Sequence, residues 1–271
     1  MRLSCLLLLL FFLAPEVGRA QTTAATEAAA QATALRRANK LVLERKYESA
    51  WKLLKFLDQM NQDPAVALKK TELALNYYTA TDELKRFAFR DLKLLDLSPD
   101  SLRQLGVDTP HYSFPVRRVL EKLQEKYPDN YKLDRALGDY YFAVQQCDCA
   151  EEELGEDEVF QRTIKHYQLA HDHGQGDYLS YFALGYSYQR LGQFQESLAP
   201  FERSVQLRKD APTTHLNLAF VYLELKQFEK AQLHARRAVE LFPDDAHKQD
   251  AAYLLGQIED RMKATAATKP E

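Results

Sequence analysis

The stretch "SYFALGYSYQRLGQFQESLAPFERSVQL", Ser180 to Leu207, is followed by "THLNLAFVYLELKQFEKAQLHARRAVEL", Thr214 to Leu241, with the same outline. Leu184 and Leu218, Gly185 and Ala219, Tyr188 and Tyr222, Phe194 and Phe228, Ser197 and Ala231, and Ser204 and Ala238 are all separated by one and the same interval. Such a chain must fold as a row of like units, because one unit cannot bury both its faces. Within each unit apolar residues recur at three- and four-residue steps, which predicts two amphipathic helices joined by a turn, at Gly192 in the first unit. Small residues at Gly185 and Ser197, and at Ala219 and Ala231, let paired helices approach to roughly 8–10 Å. Tyr188 and Phe201 then fill the space beside the contact, each large buried side chain contributing about 1.5–3 kcal/mol.

That period, roughly 34 residues, with those residue types resembles the tetratricopeptide repeat, a two-helix unit. Tyr181, Leu184, Gly185 and Tyr188 take the spacing of its first helix, and Ser197 and Phe201 that of its second. The next unit supplies Leu218, Ala219, Tyr222, Ala231 and the closing Pro243. Fainter copies stand upstream. Ala38, Leu41, Tyr47, Ala50, Leu54 and Leu57 match in 34–64, and Leu137, Gly138 and Tyr141 match in "LDRALGDYYFAV". The resemblance implies an all-α solenoid, a right-handed superhelix of antiparallel hairpins closed by a C-terminal capping helix. We place divergent repeat-like hairpins at 34–130 and a repeat domain at 131–262. The latter has a loop insertion at 147–158, its best repeats at 178–211 and 212–245, and a cap at 247–262. Residues 65–97 have the length of a hairpin with a degraded pattern, and 98–128 predict a short helix, a loop and one full helix. No convincing alternating strand is present, and Pro200 should bend its helix.

The ends have a different character. Arg2, the apolar run Leu6–Leu13 and the exit "GRA" have the layout of a secretory signal at 1–20, cut at Ala20–Gln21. The run is far below the roughly 18–20 residues a membrane-spanning helix needs. We therefore expect export, to a bacterial periplasm or as a secreted protein, and a chain that does not span the membrane. Residues 21–33 predict a flexible spacer that merges into a first helix, and 263–271 a flexible tail. Loss of the signal takes the formal charge from −3 to −4, a balance unsuited to nucleic acid, which needs a concentrated basic face.

In this family the first helix of each hairpin lines the concave face. The resemblance thus implies a groove showing Arg135, Asp139 and Phe142, then Leu179, Phe182, Tyr186, Gln189 and Arg190, then Thr213, Leu216, Asn217, Phe220, Leu223 and Glu224. Some members clamp a peptide carboxylate there with Lys and Asn. Asn217 fits that pattern, but Phe182 and Tyr186 stand where the other clamp residues belong. An aromatic and aliphatic groove suits an apolar peptide or helix from a protein partner; packing against neighbouring hairpins is the competing use of the same aromatics. Self-association through the groove or the cap is a special case.

Cys147 and Cys149 form a Cys-x-Cys pair in the insertion, open to a disulfide, free thiols or a soft metal. A site adding His166, His171 and His173 fails on geometry, because the returning helix carries His171 and His173 on the order of 20 Å from the turn. The acidic run Glu151–Glu158 lacks calcium-loop spacing. No catalytic motif and no cofactor site is found, so the reading is a non-enzymatic scaffold or adaptor. A redox or metal-handling protein acting through Cys147 and Cys149 is the alternative.

Overall fold

The computed structural model describes residues 14–104, 110–146 and 154–267. The apolar run at 6–13, Cys147 and Cys149 lie outside the described residues. The chain divides into two compact units, residues 1–81 with 87–112 and residues 82–86 with 113–271. Among the described residues the architecture is an α-solenoid with one small sheet, and no helix is long and apolar enough to cross a membrane.

In the first unit α1 (Ala14–Leu43) packs on α2 (Tyr47–Leu57), and α2 on α3 (Pro64–Asn76). Helix α1 takes in 21–33, where the sequence suggests a spacer merging into the first helix. Asp63 caps α3 by accepting the Val66 N–H at 2.9 Å, and Pro64 occupies the first turn, where its missing N–H is harmless.

The second helix expected within 65–97 is not formed. Instead β1 (Ala80–Asp82), β2 (Arg86–Ala88) and β3 (His111–Ser113) make a sheet in that order. The turn after β1 has Glu83 at φ 49° and Leu84 at φ 51°, closed by the Lys85 N–H on Asp82 O at 2.9 Å. Two consecutive positive φ values are the signature of the hairpin turn whose twist matches its strands. The aromatics of this segment explain the preference: Phe87 and Phe89 are buried, and Phe89 stacks on the buried Trp51 of α2 at 4.7 Å. Helix α4 (Pro99–Gln104) follows as the short helix expected.

In the second unit α5 (Val116–Lys126) leads into α6 (Tyr131–Gln146) and α7 (Glu156–Asp172). The hairpins α8 (Tyr178–Arg190) with α9 (Phe194–Leu207) and α10 (Pro212–Glu224) with α11 (Phe228–Leu241) come next, then α12 (Asp245–Ala267). Glu156, Asp157 and Glu158, expected in the loop insertion, form the first turn of α7, where carboxylates meet the positive end of the helix dipole. Pro200 is buried within α9, which continues past it to Leu207. Helix α12 runs on to Ala267, beyond the expected start of the tail.

The repeat is visible in the turns. Arg45 (φ 60°), Gly192 (φ 71°) and Lys226 (φ 58°) hold the same left-handed position after α1, α8 and α10. The N–H of the following residue then reaches back to Leu41 O, Tyr188 O or Tyr222 O at 2.8–2.9 Å. This is the 6→1 bond of a Schellman motif. The small residues cross where expected: Ala38, Ala50, Ser197, Ala219 and Ala231 are fully buried. A Cβ on Gly185 would stand 2.8 Å from the Phe201 ring, so only glycine lets that ring lie against α8. One core joins Phe201, Leu218, Tyr222, Ala231 and Ala235 to Leu254 and Ile258 of α12.

Candidate functional site

The first helices of successive hairpins touch: α6 meets α8, α8 meets α10, and α10 meets α12. No two second helices among α7, α9 and α11 pack on each other to the same degree. Within the second unit the first helices therefore form the inner wall. Helix α8 is oriented on this wall by a capping box, with Asp177 accepting the Ser180 N–H and Ser180 Oγ accepting the Asp177 N–H, both at 2.9 Å.

An aromatic cluster lies across α6 and α8. Phe142 packs edge-on to Phe182 at 6.4 Å and to Tyr186 at 6.1 Å, and Phe182 and Tyr186 stack at 6.1 Å. All three are half-buried, and edge-on contacts of this kind are favoured by the ring quadrupoles. Phe182 is backed by Phe201 at 5.8 Å. Phe160 of α7 approaches Tyr186 at 6.3 Å, a contributor that sequence reasoning missed because it lies on a second helix. Arg190 sits 5.3 Å over the Phe160 ring, donates to Tyr186 Oη at 3.1 Å and pairs with Glu156 at 2.6 Å.

Helix α10 continues the wall with Leu216, Phe220 and Leu223, all half-buried against the core, Phe220 meeting Phe194 edge-on at 6.0 Å. Leu179, Thr213 and Glu224 are exposed. Asn217 donates its amide to Thr213 O at 2.8 Å, so the one clamp-like residue is bonded to its own helix. Gln189 is half-buried, and its Oε1 has no hydrogen-bond partner among the described residues.

Arg135 and Asp139, expected to face a ligand, are held in a network instead. Arg135 binds Asp139 Oδ1 at 2.9 Å, Gln175 O at 3.2 Å and Asp177 Oδ2 at 3.1 Å, and Tyr167 Oη donates to the same Asp139 oxygen at 2.9 Å. Burial, reinforced by the Asp139 carboxylate, raises the Tyr167 phenol well above its ordinary range, so it stays a donor. This network ties α6 to the turn preceding α8, a structural use that one linear sequence does not reveal.

The histidines are dispersed. His166 meets the buried Asp134 at 3.1 Å, His171 meets Ser180 Oγ at 2.9 Å, and His173 stacks on Tyr131. His215 and His234 join α10 to α11 through their Nδ1 atoms at 2.9 Å. His215 Nε2 donates to Lys209 O at 3.1 Å, so its Nδ1 is the acceptor and His234 the donor in that pair.

Residues 179–244 match the family description Tetratricopeptide repeat. No curated protein matches the chain. Among solved structures, a point mutant of MamA aligns with TM-score 0.51 at 19% identity, covering 81% of this chain and 99% of that one. YrrB, a tetratricopeptide-repeat protein with an unusual peptide-binding site, aligns with TM-score 0.51 at 13% identity, covering 77% and 82%. A thermophilic repeat protein of Thermus thermophilus aligns with TM-score 0.48 at 17% identity, covering 83% and 98%. The similarity shows the fold: a tetratricopeptide-like solenoid.

Proposed function

We propose that this chain is an exported, non-enzymatic scaffold that receives an apolar segment of a partner protein on the wall of α6, α8 and α10. The observation that carries the reading is the row of half-buried apolar groups there, Phe142, Phe182 and Tyr186, then Leu216, Phe220 and Leu223. Aromatic side chains that are partly covered but keep an open face are the anchors on which such interfaces depend. The peptide-binding site of YrrB supports the same use of the fold. Arg135, Asp139 and Asn217 are already bonded within the protein, so contact with the ligand falls to the apolar groups rather than to a carboxylate clamp.

The test is photo-crosslinking from the exposed positions Leu179 and Thr213 in the native host, followed by titration of the captured protein. A Phe182→Ala/Phe220→Ala variant should weaken that binding at least tenfold. Undiminished affinity would remove the wall from the account. Export is tested by the N-terminal residue of the protein isolated from its host, expected at Gln21 by mass spectrometry. A protein retained in the cytoplasm with Met1 in place would refute it.

A further inference from the structure

The first unit carries a second surface, built with more hydrogen bonds than a connecting loop requires. Arg45 Nη1 donates to the carbonyls of Lys93 at 2.8 Å and Leu94 at 3.0 Å, and Nη2 to those of Asp96 and Leu97, each at 3.0 Å. The loop also closes on itself. The Lys93 N–H donates to Asp96 Oδ2 at 2.7 Å, and the Asp96 N–H to Lys93 O at 3.1 Å. Leu92 is buried, and its N–H donates to Arg45 O at 2.9 Å. The segment so fixed turns Leu94 and Leu95 outward, 88% and 96% exposed, with Leu97 at 52%. Leu43, two residues before Arg45, is also exposed. Single exposed leucines are ordinary, but several together on a pinned turn mark an interaction surface.

The charge around them selects the partner. Arg36, Arg37, Lys40 and Lys46 flank Leu43 in sequence and Arg90 and Lys93 flank Leu92, joining Arg45 against the three carboxylates Glu44, Asp91 and Asp96. Residues 36–46 and 90–97 thus carry a net +4 in a chain whose total is −3. Of those carboxylates, Glu44 is shared by Lys40 and Lys46, and Asp91 accepts from the Ser49 N–H and Oγ–H. We infer that this loop docks the protein on an anionic lipid surface. Leu94 and Leu95 enter the acyl boundary, and the surrounding cations meet the phosphates. Arg45 orders the loop beforehand, so docking does not have to. A second copy of this chain is the poorer occupant, since it would set the same cationic surface against itself.

The experiment is co-sedimentation of the protein as isolated from its host with vesicles of phosphatidylcholine and phosphatidylglycerol in equal parts, and with phosphatidylcholine alone. Binding is expected only to the anionic vesicles, falling with added salt. Leu94→Gln/Leu95→Gln should lower it roughly tenfold or more per leucine. Arg90→Gln/Lys93→Gln should lower it roughly fivefold per charge. Phe182→Ala/Phe220→Ala should bind vesicles as wild type does, which separates this surface from the wall. Three results would overturn the inference: wild type that does not sediment with anionic vesicles, a leucine variant that sediments as wild type does, or self-association of wild type that the leucine variant abolishes.

Discussion

Gly185→Ala tests the helix crossing most directly, because its sign depends on one ring. The added Cβ would stand 2.8 Å from Phe201 Cδ1, 2.8 Å from Cγ and 3.0 Å from Cδ2. Unstrained carbon contacts lie at about 3.5–4.0 Å, and Phe201 is fully buried, so the ring has nowhere to retreat. Overpacking of this kind costs about 1–3 kcal/mol. Replacing a mid-helix glycine by alanine returns about 1 kcal/mol, which leaves a net loss of about 1 kcal/mol. Phe201→Ala alone should cost about 3–5 kcal/mol, but it also removes the clash. In that background Gly185→Ala should stabilise by about 0.5–1 kcal/mol. The chain contains its own precedent: one repeat further on, the pair is Ala219 with Ala235, both fully buried. Urea unfolding of the four proteins by far-UV circular dichroism gives the cycle, with an expected coupling of about 1–3 kcal/mol. Stabilisation by Gly185→Ala in both backgrounds would show that the close approach is not needed.

Lys226 holds the left-handed turn position that Gly192 fills one repeat earlier. Lys226→Gly should therefore stabilise by about 0.5–1 kcal/mol and Gly192→Lys destabilise by a similar amount, and thermal melts showing the opposite order would refute the equivalence. Burial, then nearby Arg135, holds His171 down at about 4, and burial, then His215, does the same for His234 at about 4, against an ordinary 6.5. A histidine with a depressed folded pKa binds fewer protons folded than unfolded, so its stability contribution is whole above pH about 6.5. It is lost as pH falls toward about 4, and because both rings are partly exposed, solvent screening cuts the bare conversion of about 3 kcal/mol to about 1–2 kcal/mol for each group. Urea midpoints should drop between neutral and mildly acidic pH, less so in His234→Gln; a flat profile would sink this.

The repeats are legible because their signal is redundant: period, small crossing residues and aromatics all agree at 178–244. In 34–64 the copy is fainter, yet Ala38 and Ala50 cross as Gly185 and Ser197 do, and Arg45 takes the turn without a glycine to announce it. The hairpin at 80–88 is hidden for a related reason. Its turn residues are Glu83 and Leu84, not the Asn-Gly or Asp-Gly that such φ values favour, and Phe87, Ala88 and Phe89 are all buried, so no alternation marks a strand. At the candidate site, position along a helix is legible and the competing partners are not. Nothing local says that Arg135 reaches Asp177, 42 residues away.

The register between hairpins shows how the wall divides. Arg135, Phe182 and Leu216 hold one equivalent position on α6, α8 and α10, and Asp139, Tyr186 and Phe220 another. The step from α8 to α10 is one repeat, and the step from α6 to α8 is lengthened by the insertion at 147–158. At both positions α6 contributes a charge engaged internally, while α8 and α10 contribute apolar groups. At these two positions a ligand's apolar side chains therefore seat over α8 and α10, and the apolar contribution of α6 to the wall is Phe142. Because Phe182 is backed by Phe201, truncating it to alanine disturbs the hairpin as well as the wall. Phe182→Leu separates the two effects, since the fold already accepts leucine at this position in Leu216. It should change stability by less than about 1.5 kcal/mol while losing the aromatic contact with a bound segment, worth about 0.5–1.5 kcal/mol. A captured partner that binds Phe182→Leu as tightly as wild type would mean that the ring at this position serves only the hairpin beneath it.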